Sequence, residues 1–271
     1  MDIHFDCTQC GDCCRNLKIP LTVSEAIAWL DRGHQVQVIC EGAPWPEEFP
    51  ADDLRAAHLK RRSFAARSGS MPARVVVILA ANVVGDCPNL QADSRCGIYA
   101  ERPLVCRIYP AEINPFIELV PGNKNCPAEA WDARHPLLMR NGKLVSGDTQ
   151  AAIQQSRDTD AREVHIKSRV CANLKFNDTA VVREGFVLYS PPHDALRQAL
   201  ASAIAAVDEP VMEPQWRFVS DRYQTLEYLE QHGAVAFHSR DSGAVPYTYL
   251  SLKRLTDAAA ADEPATGAQV N

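Results

Sequence analysis

Cys7-Thr8-Gln9-Cys10-Gly11-Asp12-Cys13-Cys14-Arg15 places four cysteines within eight positions, spaced C-x2-C-x2-C-C. A thiolate is a soft ligand, and closely spaced thiolates wrap one soft or borderline ion. Two residues between cysteines let a tight turn aim both sulfurs at one point, and Gly11 supplies the backbone freedom such a turn needs. Cysteine in a plain core is a small hydrophobe with no reason to keep ligand spacing. The stretch therefore predicts a loop-rich module folded around thiolate-bound metal. Side chains of adjacent residues diverge, so Cys13 and Cys14 are not expected to serve one ion. One of the two should reach a second site or a second group of ligands.

That second group lies further along. Cys87-Pro88, Cys96-Gly97, Cys106 within Arg102-Pro103-Leu104-Val105-Cys106-Arg107-Ile108-Tyr109-Pro110, and Cys126-Pro127 bring the first half to eight clustered cysteines. Eight suits two four-thiolate sites, or one site plus redox thiols. Two metal readings stay open. The run C-x2-C-x2-C with a remote Cys-Pro matches a [4Fe–4S] ligand pattern, with Cys87 or Cys126 as the remote ligand. The pair Cys7 and Cys10 followed by Gly11 also fits a zinc knuckle completed by a second pair. Arg15, Arg102 and Arg107 sit beside or between these cysteines, where they can offset thiolate charge or remain ordinary surface arginines. The remaining two, Cys40 and Cys171, lack local partners and read as buried or free thiols. His4 reads as an exposed histidine rather than a spare ligand.

Composition narrows the class. The chain of 271 residues is 46% hydrophobic and 23% charged, ordinary values for a globular protein. Its formal net charge of −6 argues against a nucleic-acid partner. No apolar run approaches the ~20 residues that span a bilayer, so no membrane partner is expected. Met1-Asp2-Ile3-His4-Phe5-Asp6 has neither the basic region nor the apolar core of a signal peptide. The expected compartment is the cytoplasm, where cysteine clusters bind metal or do redox chemistry rather than form disulfides.

The rest of the chain reads as α+β. Thr22 and Glu25 form a T-x-x-E capping box for a helix with Val23, Ala26, Ile27 and Leu30 on one face and Gly33 as its stop. That helix is expected to wall the cluster. Pro44, Pro46 and Pro50 predict irregular chain over 41–50. A helix carrying His58, Lys60, Arg61, Arg62 and Arg67 is expected over about 52–67, as a basic patch or a solvated face. Arg74 to Ala81, RVVVILAA, predicts a buried strand. Asn141-Gly142 predicts a tight hairpin turn, and 148–168 a polar helical stretch. Val181 to Tyr189 reads as one strand. Asp194 should cap a helix striped by Leu196, Ala199, Leu200, Ala203, Ile204 and Val207. Trp216 to Val219 reads as a strand, and Ser220 as the cap of a helix with Tyr223 and Leu226 that stops at Gly233. Val235 to Phe237 and Val245 to Leu250 are weaker strands. The expected division is a cysteine-cluster metal-binding module over 1–130, a supporting or partner-binding α+β region over 131–256 and a disordered tail over 257–271.

The pattern Phe5-x-Cys7-x2-Cys10-Gly11-x-Cys13-Cys14-Arg15, Cys87-Pro88-x-Leu90, Cys96-x-Ile98-Tyr99-x2-Arg102-Pro103-x2-Cys106-Arg107-x-Tyr109-Pro110 resembles the YkgJ-like CxxCxxCC cysteine-cluster family. The resemblance covers about residues 5–127. It implies a zinc- or iron-chelating protein. The family's companions then fall on Arg15, Arg102, Arg107 and Tyr109. The family also takes in flagellin lysine N-methylases, which implies a second function class: a protein-lysine methyltransferase, using S-adenosylmethionine, on a protein partner. A redox or metal-delivery role is the third. No G-x-G-x-x-G after a strand, H-E-x-x-H or G-x-S-x-G adds a catalytic signature.

Overall fold

A computed structural model of the chain describes residues 2–206, 213–241 and 243–252. The elements run β1 (Ile3–His4), β2 (Lys18–Leu21), α1 (Val23–Asp31), β3 (Val36–Pro44), α2 (Leu54–Arg61), β4 (Phe64–Ser68), β5 (Met71–Asn82), α3 (Leu104–Ile108), β6 (Leu137–Arg140), β7 (Lys143–Leu144), α4 (Gly147–Arg162), α5 (Val164–Leu174), β8 (Asp178–Val181), β9 (Gly185–Tyr189), α6 (His193–Ala205), β10 (Arg217–Ser220), α7 (Tyr223–Gln231), β11 (Ala236–His238) and β12 (Thr248–Ser251). The fold class is α+β, with mixed sheets. The chain divides into two compact units that interleave in sequence. The first holds 2–37, 78–167 and 191–206; the second holds 38–77, 168–190 and the described residues beyond 212. Residue 131 lies inside the first unit. The expected tail lies outside the described residues, as does Val207.

In the first unit, α1 begins with the expected capping box: Thr22 accepts from the Glu25 amide while Glu25 accepts from the Thr22 amide. The free amides of a helix start attract carboxylates. Here Glu163, at the end of α4, accepts from the Val23 amide at 2.9 Å. The second oxygen of Glu25 accepts from the Leu104 amide at 2.7 Å, which ties the start of α3 to the start of α1. Lys167, almost fully buried, donates to Asp160 at 2.6 Å and faces Glu163 at 3.6 Å. Leu104, Ile108, Ala111, Ala152 and Ile153 form an apolar cluster beneath α3. Strand β2 runs antiparallel to Leu79–Asn82. The hairpin of β6 and β7 turns at Asn141 and Gly142, both with positive φ, as a two-residue primed turn requires.

The second unit is a sheet. Strands β3, β8, β10 and β11 lie parallel, in the order β11-β10-β8-β3, followed by β5. Strand β9 runs antiparallel to β3 and to β12, and β4 folds back on β5. Phe218, 0% exposed, centres a core with Met71, Ala73, Val181, Leu226, Leu229, Ala234 and Ala236. Asp178 is buried but paired bidentately with Arg217, at 2.6 and 2.8 Å, which offsets its desolvation.

Four expectations are corrected. Residues 36–44 form strand β3: Val36, Val38 and Cys40 alternate inward, and Pro44 merely ends it. The helix expected over 52–67 stops at Arg61, because Phe64 to Ser68 gains a ladder with β5. Val181 to Tyr189 is two strands, separated by a turn in which Arg183 has φ 69°. Neither Asp194 nor Ser220 caps a helix: Pro192 and Arg222 hold those places without side-chain bonds. Ser220 instead accepts from the Arg222 amide and donates to Glu184.

Candidate metal centre

The C-x2-C-x2-C-C run is an exposed loop closed by a short 3-10 turn over Asp12–Cys14. Gly11 opens that turn with φ 77°, and a Cβ there would meet Leu90 Cδ1 at 3.1 Å, so both conformation and space call for glycine. A short ladder then joins this loop to the second cysteine group. Arg15 bridges Asp86 antiparallel. The Cys87 amide donates to the Cys14 carbonyl at 2.7 Å, and the Asn16 amide to the Gly85 carbonyl at 2.8 Å. Asn16 Oδ1 accepts from the Gly85 amide. Cys14 and Cys87 thus meet through main-chain bonds. Leu90 and Cys96 form another bridge. Cys106 rides on α3, whose first amide is held by Glu25. Cys126 is placed by Tyr109, whose hydroxyl accepts from the Asn125 amide at 3.0 Å and from the Cys126 thiol at 3.8 Å.

All eight predicted cysteines line one cavity of about 590 Å³ in the first unit. Trp29 of α1 is part of its wall, as the expected packing of that helix requires. Cys7 is exposed, Cys87 buried, and the other six half-buried. Four of these sulfurs show which others stand close enough to raise them. Cys13 feels Cys7 and Cys126, and Cys126 feels Cys7 and Cys10. Cys87 feels Cys14 and Cys96, and Cys106 feels Cys14, Cys87 and Cys96. Cys13 and Cys14 are themselves neighbours, with Sγ atoms 4.0 Å apart. Of that pair, Cys14 is the more acidic: the contact with Cys13 and the charges of Arg15 and Arg102 lower it. Burial is the first cause that pushes Cys106 up to about 12, and it also raises Cys87, Cys126 and Tyr109.

The predicted companions differ in their commitments. Arg15 is held by Asp12 at 3.0 Å and Asp86 at 2.9 Å. Arg102 lies 3.6 Å over the Tyr99 ring and donates to the Tyr99 carbonyl at 3.0 Å. Arg107 is exposed on the cavity wall. His4 is bonded to the His135 carbonyl and is absent from the wall. Sequence reasoning missed Asp86 and Asn16, which set the ladder; Gly85-Asp86 before Cys87 is their trace in the sequence. Cys40 and Cys171 are fully buried in the second unit, and burial together with the hydrogen bond with its neighbour Cys171 makes the Cys40 thiol hard to ionise.

Residues 6–127 match the CxxCxxCC family model, described as a "putative zinc- or iron-chelating domain". No curated protein and no solved structure matches the chain. Over that stretch the chain is similar to a domain so described, and the eight lining cysteines all fall within it. The donor set of the CxxCxxCC domain fits a thiophilic ion or cluster: thiols only, on loops that begin or end at Gly or Pro, with arginine charge beside them. No three His, Cys, Asp or Glu side chains among the described residues already converge on one coordination point. Binding would draw the sulfurs together, as is usual where ligand loops fold onto the ion. Among the described residues, no helix is long and apolar enough to cross a membrane.

Proposed function

We propose that this protein is a metal-binding protein with two all-thiolate centres. Cys7, Cys10, Cys13 and Cys126 form one; Cys14, Cys87, Cys96 and Cys106 form the other. What supports this reading is that main-chain bonds set Cys14 beside Cys87, while Cys126 has Cys7 and Cys10 as its sulfur neighbours. The first set is three cysteines in C-x2-C-x2-C spacing plus a remote Cys126-Pro127, the ligand pattern of a [4Fe–4S] cluster. We assign an iron–sulfur cluster to it. The second set has the same soft donors and takes a second thiophilic centre. Such centres supply redox or structural chemistry when loaded.

Anaerobic purification followed by iron, zinc and acid-labile sulfide analysis tests both claims. Brown protein with absorption near roughly 400 nm and two centres per chain is expected. Colourless protein that holds only zinc would remove the cluster assignment. One centre per chain would remove the division into two sets.

A further inference from the structure

The cavity wall extends beyond the thiols: Lys18, Trp29, Ile98, Arg102 and Arg107 line it too. Its volume of about 590 Å³, part of which the two centres would fill, lies within the roughly 300–1,000 Å³ span of small-molecule pockets. The wall is also one-sided in charge. The chain has a formal net charge of −6, yet the ionic side chains on the wall, thiols apart, are Lys18, Arg95, Arg102 and Arg107. No carboxylate joins them among the described residues.

Those four cations are not equally available. Lys18 Nζ donates to Gln37 at 2.6 Å and Asn82 at 2.7 Å. Arg95 Nε lies 3.7 Å from Asp93. Arg102 is fixed by Tyr99 through stacking and through Nε alone. Its two Nη groups have no hydrogen-bond acceptor among the described residues, and neither has the Arg107 guanidinium. A guanidinium held at Nε and stacked on a ring keeps a rigid two-donor edge, the shape that grips an oxyanion. Phe5, Ile19, Trp29, Ile98 and Val105 give the wall an apolar remainder.

We propose that this cavity binds a small organic oxyanion, an apolar body bearing one carboxylate or phosphate, with the acid group on Arg102 and Arg107 as its solvent-side support. The inference rests on the metal reading only for its neighbour: the bound molecule lies against the thiolate centres. The competing use of Arg102 is to neutralise thiolate charge, and the experiment separates the two.

Full-length protein as purified is titrated by calorimetry with 1-naphthaleneacetate, 1-naphthyl phosphate and neutral 1-naphthaleneethanol, and the metal content of every sample is measured. At least one of the acids should bind one per chain, tenfold or more tighter than the alcohol; which one binds identifies the acid group. Arg102→Gln should weaken that acid at least tenfold, leave the alcohol's affinity as it was and keep the metal content. Arg107→Gln, at an exposed position, should weaken the acid severalfold and decides the matter if Arg102→Gln fails to fold. Absence of acid binding, equal binding of the alcohol, or acid affinity untouched by both substitutions overturns the proposal. So does loss of metal from Arg102→Gln with acid affinity retained. Metal-free protein that still binds the acid through Arg102 would sink the metal reading and leave this one standing.

Discussion

The two units use the same side chain in opposite ways. In the first, eight cysteines sit on turns and on one short helix, most of them half-buried, with arginine, tyrosine and each other as neighbours. In the second, Cys40 lies in strand β3 opposite Val187, and Cys171 lies in α5, both wholly covered. Number of cysteines therefore says little. What separates a ligand from a core residue is spacing and backbone: ligand cysteines sit where Gly, Pro and irregular turns leave sulfurs free to converge, and core cysteines sit in regular elements with apolar neighbours. The same contrast divides what holds each unit. The second has Phe218 and a continuous sheet. Over 85–130 the first has 3-10 turns, one five-residue helix and few large buried side chains.

The largest effect should come from removing metal. A chelator with reductant is expected to strip the CxxCxxCC domain of its order, since structural thiolate metal contributes about 10–16 kcal/mol in small domains. Hydrogen exchange should show the amides of Cys87, Leu90 and Gly97 losing protection while Phe218 and Val219 keep theirs. Equal loss in both places would break the contrast. Next, Cys126→Ser and Cys96→Ser, each purified with excess metal, should each lose one of the two centres and keep the other. If either variant loses all its metal, the sets are one. Phe218→Ala should cost about 3–5 kcal/mol in denaturant melts and leave metal content alone. The smallest effect is a pH dependence. An unfolded cysteine ionises near about 8.5, whereas burial holds the folded Cys40 thiol well above its ordinary value. The folded state then binds the proton that the unfolded state loses. Stability is full below the unfolded value and falls as pH rises past it. Melts at about pH 7.5 and 9.5 should show a smaller fall for Cys40→Ala than for the parent; an equal fall would place the titration elsewhere.

Local signals in the sequence were readable where the energetics are local. The Thr22 and Glu25 capping box, the RVVVILAA strand and the Asn141-Gly142 turn each involve residues within a few positions of one another, and each is present. The failures are tertiary. Strand β3 looked broken by proline, yet its pairing stops where Pro44 stands. The basic run after Leu59 turned from helix to strand because β5 offered hydrogen bonds. Ser220 left its capping role for Glu184, which comes from another turn. The candidate site was legible as a list of cysteines. Which sulfur neighbours which was not, because Cys14 meets Cys87 through main-chain bonds between segments far apart in sequence. The pairing of Cys40 with Cys171 was hidden for the same reason.

One peptide bond joins the two proposed centres at Cys13 and Cys14. Cys13 and Cys14 share the turn that Gly11 opens, so an ion that fixes one residue's backbone has already fixed most of the other's. The ordering cost falls mainly on the first ion to arrive. Loading should then be cooperative: with metal supplied at half the full amount, native mass spectrometry is expected to find empty and fully loaded chains in excess over the singly loaded form.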